Sequence, residues 1–85
     1  MDARFAAANE AISQGRRADA ADLIVAALED GVAPSAETYR ILLQNLFALG
    51  RYAQGASWGA KAVELAPRNF DLLNMQGIFL RRNGR

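Results

Sequence analysis

An all-α fold of five short helices is predicted for this chain by three observations. Alanine occurs 18 times among 85 residues, and Leu, Arg, Gln and Glu supply much of the remainder, all strong helix formers. Both prolines, Pro34 and Pro67, stand at the edges of apolar-periodic stretches, and no run of Val, Ile and Thr alternates with polar residues as a strand would. Gly-Arg pairs also recur, as Gly15-Arg16, Gly50-Arg51 and Gly84-Arg85, at intervals of 35 and 34 residues. Such a period marks a helix-turn-helix unit that is repeated and stacked, because one unit alone cannot bury its apolar face.

Punctuation places the elements at about 2–14, 18–30, 36–49, 53–66 and 70–83. Gly15, Gly50 and Gly84 are expected to end the first, third and fifth helices in the left-handed conformation, and Gly31 the second. Ser35 is the expected N-cap before Ala36-Glu37-Thr38, and Asn69 the cap before Phe70-Asp71-Leu72. Asp2, Glu37 and Asp71 each precede a glycine by 13 residues and are expected in a first helical turn, where a carboxylate favours the helix dipole. Connections this short make neighbouring helices antiparallel hairpins. Other positions keep the period: Ala20 and Gly55 lie five residues beyond their glycines, Ala27 and Ala62 twelve beyond.

Composition narrows the chemistry. The chain contains no Cys and no His, which removes disulfides, thiol nucleophiles, imidazole bases and the usual zinc ligands. No Ser lies in a G-x-S-x-G elbow and no G-x-x-x-x-G-K-[ST] phosphate loop occurs, so neither an enzyme, a metal nor a cofactor is expected. The net charge of +1 does not point to nucleic acid or an anionic membrane. Its distribution is uneven, however: residues 1–35 carry three basic against six acidic residues, and residues 36–85 seven against three. Opposed ends favour head-to-tail association, with scattered solvated charge as the plainer account. Asp2, Arg4, Asn9 and Glu10 interrupt any leader-like segment, and no apolar run approaches the roughly 18 residues of a membrane span. A cytoplasmic location is the expectation.

The stretch AETYRILLQNLFALGRYAQGASWGAKAVELAPRN, residues 36–69, resembles one whole tetratricopeptide (TPR) repeat. Tyr39 stands in the aromatic slot of the W-x-x-L-G-x-x-Y signature, followed by Leu42, Leu43 and Leu46. Gly55, Ala62 and Pro67 occupy the small, alanine and proline slots of the second helix. Residues 70–85 resemble the first helix of another repeat, with Leu73, Leu80 and the signature glycine at Gly77. Residues 1–35 resemble a degenerate repeat through Gly15, Ala20, Ile24 and Ala27. The resemblance implies one domain, a right-handed superhelical solenoid of about two and a half repeats. One departure is Gly59, with Trp58 beside it, where an aromatic is usual late in the second helix. Gly55 and Gly59 then form a G-x-x-x-G pair, read either as close approach of a neighbouring helix with Trp58 filling the volume or as tolerated drift. Arg51, Gln54, Lys61 and Glu64 around the pair argue against a membrane dimerisation motif.

Tyr39, Leu42, Leu43, Leu46, Leu49, Tyr52, Trp58, Val63 and Leu65 fall at helical spacing and are expected in the core. The resemblance puts the ligand face on the first helix of each unit. Residues 4 and then 3 apart there are Phe5, Asn9 and Ile12; Arg40, Gln44 and Phe47; and Asn74, Ile78 and Arg81. Arg40 and Arg81 can fork onto carboxylates, and Asn9, Gln44 and Asn74 can bond an extended peptide backbone. The Lys and Asn pattern by which one TPR subclass clamps C-terminal carboxylates is not present, since Phe5, Arg40, Ile41 and Met75 fall near those places.

The leading expectation is therefore a non-catalytic protein-protein interaction module holding a peptide or partner helix. A second is the leading segment of a longer protein, such as a glycosyltransferase or sulfotransferase. A third, disfavoured, is RNA binding, because EDGVAPSAETYRILLQNLFALGRY also resembles a pentatricopeptide repeat; its base-reading slot would be Arg40 where Asn, Ser or Thr is usual, and only Asn74 fits. Finally, Leu73, Gly77 and Leu80 are expected to face water. Self-association, as a symmetric dimer of last helices, is the expected consequence, the alternative being residues beyond Arg85 that cover the patch.

Overall fold

In the computed structural model, which describes residues 2–84, the chain folds into α1 (Ala3–Ser13), α2 (Arg17–Glu29), α3 (Ala36–Ala48), α4 (Tyr52–Leu65) and α5 (Phe70–Asn83). No strand occurs among the described residues. Each helix runs beside the next in the chain, and α3 also lies beside α5. The radius of gyration is 12.0 Å, close to the roughly 12 Å of a compact chain this long. Among the described residues, no helix is long and apolar enough to cross a membrane.

The recurring Gly-Arg pairs produce recurring turns. Gly15 and Gly50 take φ of 76° and 73°. Behind them the amide of Arg16 donates to the carbonyl of Ala11 at 2.8 Å, and that of Arg51 to Leu46 at 2.9 Å. These long back-bonds satisfy carbonyls that the helix end would otherwise strand. Gly31 (φ 88°) repeats the device after α2, with Val32 donating to Ala27 at 3.0 Å. Gly84 departs from expectation. Its φ is −73° and its amide still makes a regular helical bond to Leu80 at 3.0 Å, so the chain has not yet reversed there. Arg85, its partner in the third pair, lies outside the described residues, as does Met1.

Helix starts match the caps. The Ser35 hydroxyl accepts from the Thr38 amide at 3.2 Å, while the Ser35 amide donates to the Thr38 hydroxyl at 3.3 Å, a reciprocal capping box. Asn69 accepts from the Leu72 amide at 3.2 Å. Glu37 and Asp71 stand in first turns. Asp2 does not; it is the N-cap of α1, accepting from the Arg4 amide at 2.8 Å. Hydrogen bonds from the Arg4 side chain and amide lower its pKa to about 2. Arg4 also bonds Asp30 at 2.6 Å and so ties the start of α1 to the end of α2.

Tyr39, Leu42, Leu43 and Leu46 are buried with Ala8, Ala11, Ala20, Ala21, Ile24, Ala27, Ala62, Leu72 and Phe79. Leu49, Tyr52, Trp58 and Val63 are only half-buried, and Leu65 is 49% exposed. The Leu65 expectation fails because α4 buries a row of small residues, Gly55, Gly59 and Ala62, from which Leu65 stands roughly 80° away round the helix. That row settles the G-x-x-x-G pair as close approach. A Cβ on Gly55 would overlap the Phe79 ring, and one on Gly59 the Gln76 amide. Phe79 and Gln76 of α5, not Trp58, fill the volume. Trp58 lies half-buried with Lys61 Nζ 4.7 Å from its ring centroid.

Candidate functional site

Helices α3 and α5 lie side by side and leave a trough of about 470 Å³ between them. Arg40, Gln44 and Phe47 of α3 line one wall; Asp71, Asn74, Met75, Ile78 and Phe79 of α5 line the other. Spacings of 4 and 3 residues carry each trio along one stripe of its helix, and the side-by-side packing sets the two stripes opposite each other. Five of the expected residues, Arg40, Gln44, Phe47, Asn74 and Ile78, thus meet in one cavity. Arg81 lines its continuation, about 550 Å³ bounded by Phe47, Ile78, Arg81 and Arg82.

The remaining stripe does not join them. Phe5 and Asn9 line a separate cleft of about 180 Å³ with Ile24, Ser35, Glu37, Thr38 and Ile41. Phe5 and Ile12 are half-buried against the core, which leaves Asn9 as the exposed member of that trio. This cleft lies between α1 and the start of α3, whose backbones do not approach as closely as those of α3 and α5.

At one end of the trough Arg40 is already engaged. Its guanidinium forks onto Glu37, with Nε 2.7 Å from Oε2 and a second bond from Nη2 to Oε1. The pairing holds the Glu37 carboxyl below and the Arg40 guanidinium above their ordinary pKa values, with Asp71 adding slightly to the latter. Arg40 therefore acts as the base of the wall, its charge largely answered before any ligand arrives. Asp71 contributes an exposed carboxylate at the same end.

At the other end Phe47 and Phe79 line the trough, and Tyr52 packs against both. Phe47 meets Tyr52 at 5.8 Å and Phe79 at 6.0 Å between ring centroids, the latter edge-on. The Arg82 guanidinium stands 5.7 Å from Phe47 and 5.9 Å from Tyr52, a stacking that orients a cation without neutralising it. Sequence reasoning missed Asp71, Met75 and Phe79 as lining residues. A helical wheel of α5 carried the signal for Asp71 and Met75, which flank Asn74 and Ile78 on the side facing α3. Phe79 lines the cavity while its ring packs over Gly55, where an added Cβ would overlap it.

Chemically the trough offers two amides, Gln44 and Asn74, over an apolar floor of Phe47, Met75, Ile78 and Phe79. Among the described residues, no three His, Cys, Asp or Glu side chains converge as metal ligands would. Leu73 and Leu80 of α5, 38% and 55% exposed, stand on a different side of the helix from the trough, with Gly77 between them. No family model matches the chain, and no curated protein or solved structure matches it either.

Proposed function

We propose that the chain is a non-catalytic interaction module, a short TPR-like solenoid of helix hairpins, that holds an extended peptide in the trough between α3 and α5. The observation that carries this reading is the convergence of two stripes, Arg40, Gln44 and Phe47 with Asn74 and Ile78, on one cavity. Gln44 and Asn74 supply paired donors and acceptors for a peptide backbone, and Met75 and Ile78 supply an apolar seat for one side chain. The recurring turns at Gly15 and Gly50 and the buried small residues that follow them support the repeat organisation.

Panning a peptide display library against the 85-residue chain tests the reading. Selected peptides should bind roughly two- to tenfold more weakly to Asn74→Ala or Gln44→Ala, the loss of one net hydrogen bond each. Lys61→Ala, on α4, should leave affinity unchanged. Peptides indifferent to the trough variants but lost on Lys61→Ala would place the ligand elsewhere. Binding of single-stranded RNA with a steep salt slope, sensitive to Asn74, would replace a peptide with nucleic acid.

A further inference from the structure

The two ends of the trough carry opposite charge. At the first end Glu37 and Asp71 outweigh Arg40, whose guanidinium is spent on Glu37. At the other, Arg81 and Arg82 stand exposed in the continuation of the trough, and no acidic side chain lines it. Among the described residues neither arginine is in an ion pair. Arg82 also borders a neighbouring cavity of about 420 Å³, where Arg51 is already answered by Asp22 at 2.9 Å.

Two local roles of these arginines leave their charge in place. Both belong to the last turn of α5, where cations suit the helix dipole. The dipole's end is equivalent to about half an elementary charge, so most of the charge of two arginines is left over. Arg82 stacks on Phe47 and Tyr52, which engages the face of its guanidinium and leaves the N–H edges available as donors. Phe47 and Ile78 form the rest of the cavity wall, and their apolar surface excludes water from one side of an incoming anion. A carboxylate seated there is screened less than one on open surface.

The separation of the ends fits an extended ligand. Asp71 and Arg81 are ten residues apart on α5, roughly 15 Å at about 1.5 Å per helical residue. A strand rising about 3.3 Å per residue covers that length in about four or five residues.

We propose that the Arg81–Arg82 end of the trough anchors an acidic side chain of the bound peptide. The ligand is then an extended segment with Asp or Glu at this end and a basic residue at the Asp71 end, about four or five positions away. The proposal rests on the trough holding an extended peptide, and adds the charge pattern and polarity of that peptide.

A displayed library of random dodecapeptides, joined to their carrier through the C-terminus, supplies probes with no free terminal carboxylate. Pools selected on the 85-residue chain should be enriched in Asp or Glu, with Lys or Arg about four or five positions away. A labelled, acetylated and amidated copy of the leading peptide then reports affinity by fluorescence anisotropy at low salt. It should bind Arg81→Gln or Arg82→Gln roughly three- to fivefold more weakly, and the Arg81→Glu, Arg82→Glu double variant roughly tenfold or more, with circular dichroism unchanged. Converting the peptide's acid to its amide should cost as much as Arg81→Gln and make that variant silent. Lys61→Gln, which removes the same charge from α4, should leave affinity unchanged.

Peptides that weaken on Asn74→Ala, yet respond to Arg81→Gln and Arg82→Gln no more than to Lys61→Gln, would overturn the anchor and leave the trough standing. A pool no more acidic than its input library would do the same, as would binding that needs a free C-terminal carboxylate. Selected peptides indifferent to Asn74→Ala and Gln44→Ala would remove the trough reading, and the anchor with it.

Discussion

The interfaces α2–α3 and α4–α5 occupy equivalent places in the two repeated stretches, yet they are filled differently. Ile24 and Leu42 are large, apolar and buried in the first. At the corresponding spacing the second has Gly59 and Gln76, with the Gln76 oxygen buried and without a hydrogen-bond partner. Similarly, Ala20 and Asn45 of the first give way to Gly55 and Phe79 of the second. Asn45 is 2% exposed, donates to the Ile41 carbonyl at 2.7 Å and accepts from Arg17 of α2. Phe79 spends its volume where α4 has no side chain. A period in the sequence therefore fixes turns and small positions, while each interface finds its own volume and polarity balance.

The sharpest way to break this comparison is to give α4 the methyl group that α2 already has. Gly55→Ala places a Cβ inside the ring of Phe79, a buried side chain packed against Phe47 and Tyr52. A loss of about 1–3 kcal/mol is expected in urea unfolding, and Phe79→Leu should recover part of it. If Gly55→Ala is neutral, α5 is free to shift on α4.

Gln76 tests the other half. Replacing it with Met, which removes the unpartnered oxygen from the interface, should stabilise by about 1 kcal/mol, read as a higher urea midpoint with an unchanged slope. Gly59→Ala should be neutral or stabilising, because the atoms in its way belong to the flexible end of Gln76 and the helix gains about 1 kcal/mol of propensity. Two glycines four residues apart in one helix are thus expected to respond with opposite signs.

The turns should respond alike. Gly15→Ala and Gly50→Ala each force a side chain into positive φ and should each cost about 1 kcal/mol. Gly84→Ala, at φ −73°, should stay within about 0.5 kcal/mol of the parent. The smallest effect is alkaline. Burial, with the Glu64 charge, raises the Tyr39 pKa above its ordinary 10.0. The unfolded chain therefore loses this proton first, so stability is intact below pH 10 and falls as pH rises towards the higher folded value. Tyr39→Phe should flatten that decline in a pH series of melting curves.

Helix limits, caps and three left-handed glycines were legible because they depend on neighbours in the chain. The trough was partly legible for the same reason, since helical spacing sets which residues share a stripe. Its separation from Phe5 and Asn9 was not, because it depends on how closely backbones approach, and no local pattern records that α3 lies nearer to α5 than to α1. Leu65 misled for a related reason. Its hydrophobicity argued for burial, but α4 turns its small residues inward, and only the bulk of Phe79 arriving from α5 explains why. Gly84 misled because its interval to Gly50 repeats while its hydrogen bonding does not.

Among the five helices, α3 alone has three others alongside it, namely α2, α4 and α5. α3 therefore joins the α1–α2 pair to the α4–α5 pair, and openings of the described helices should come in order. α1 can detach at the cost of one helix pairing, whereas freeing α3 breaks three. Amide hydrogens of Leu42, Leu43 and Leu46 should exchange only through global unfolding, those of α1 through local excursions of lower free energy. A partner gripping α3 and α5 together would slow exchange along the C-terminal side while leaving α1 as quick as before. The molecule would then report occupancy at one end and keep its independence at the other.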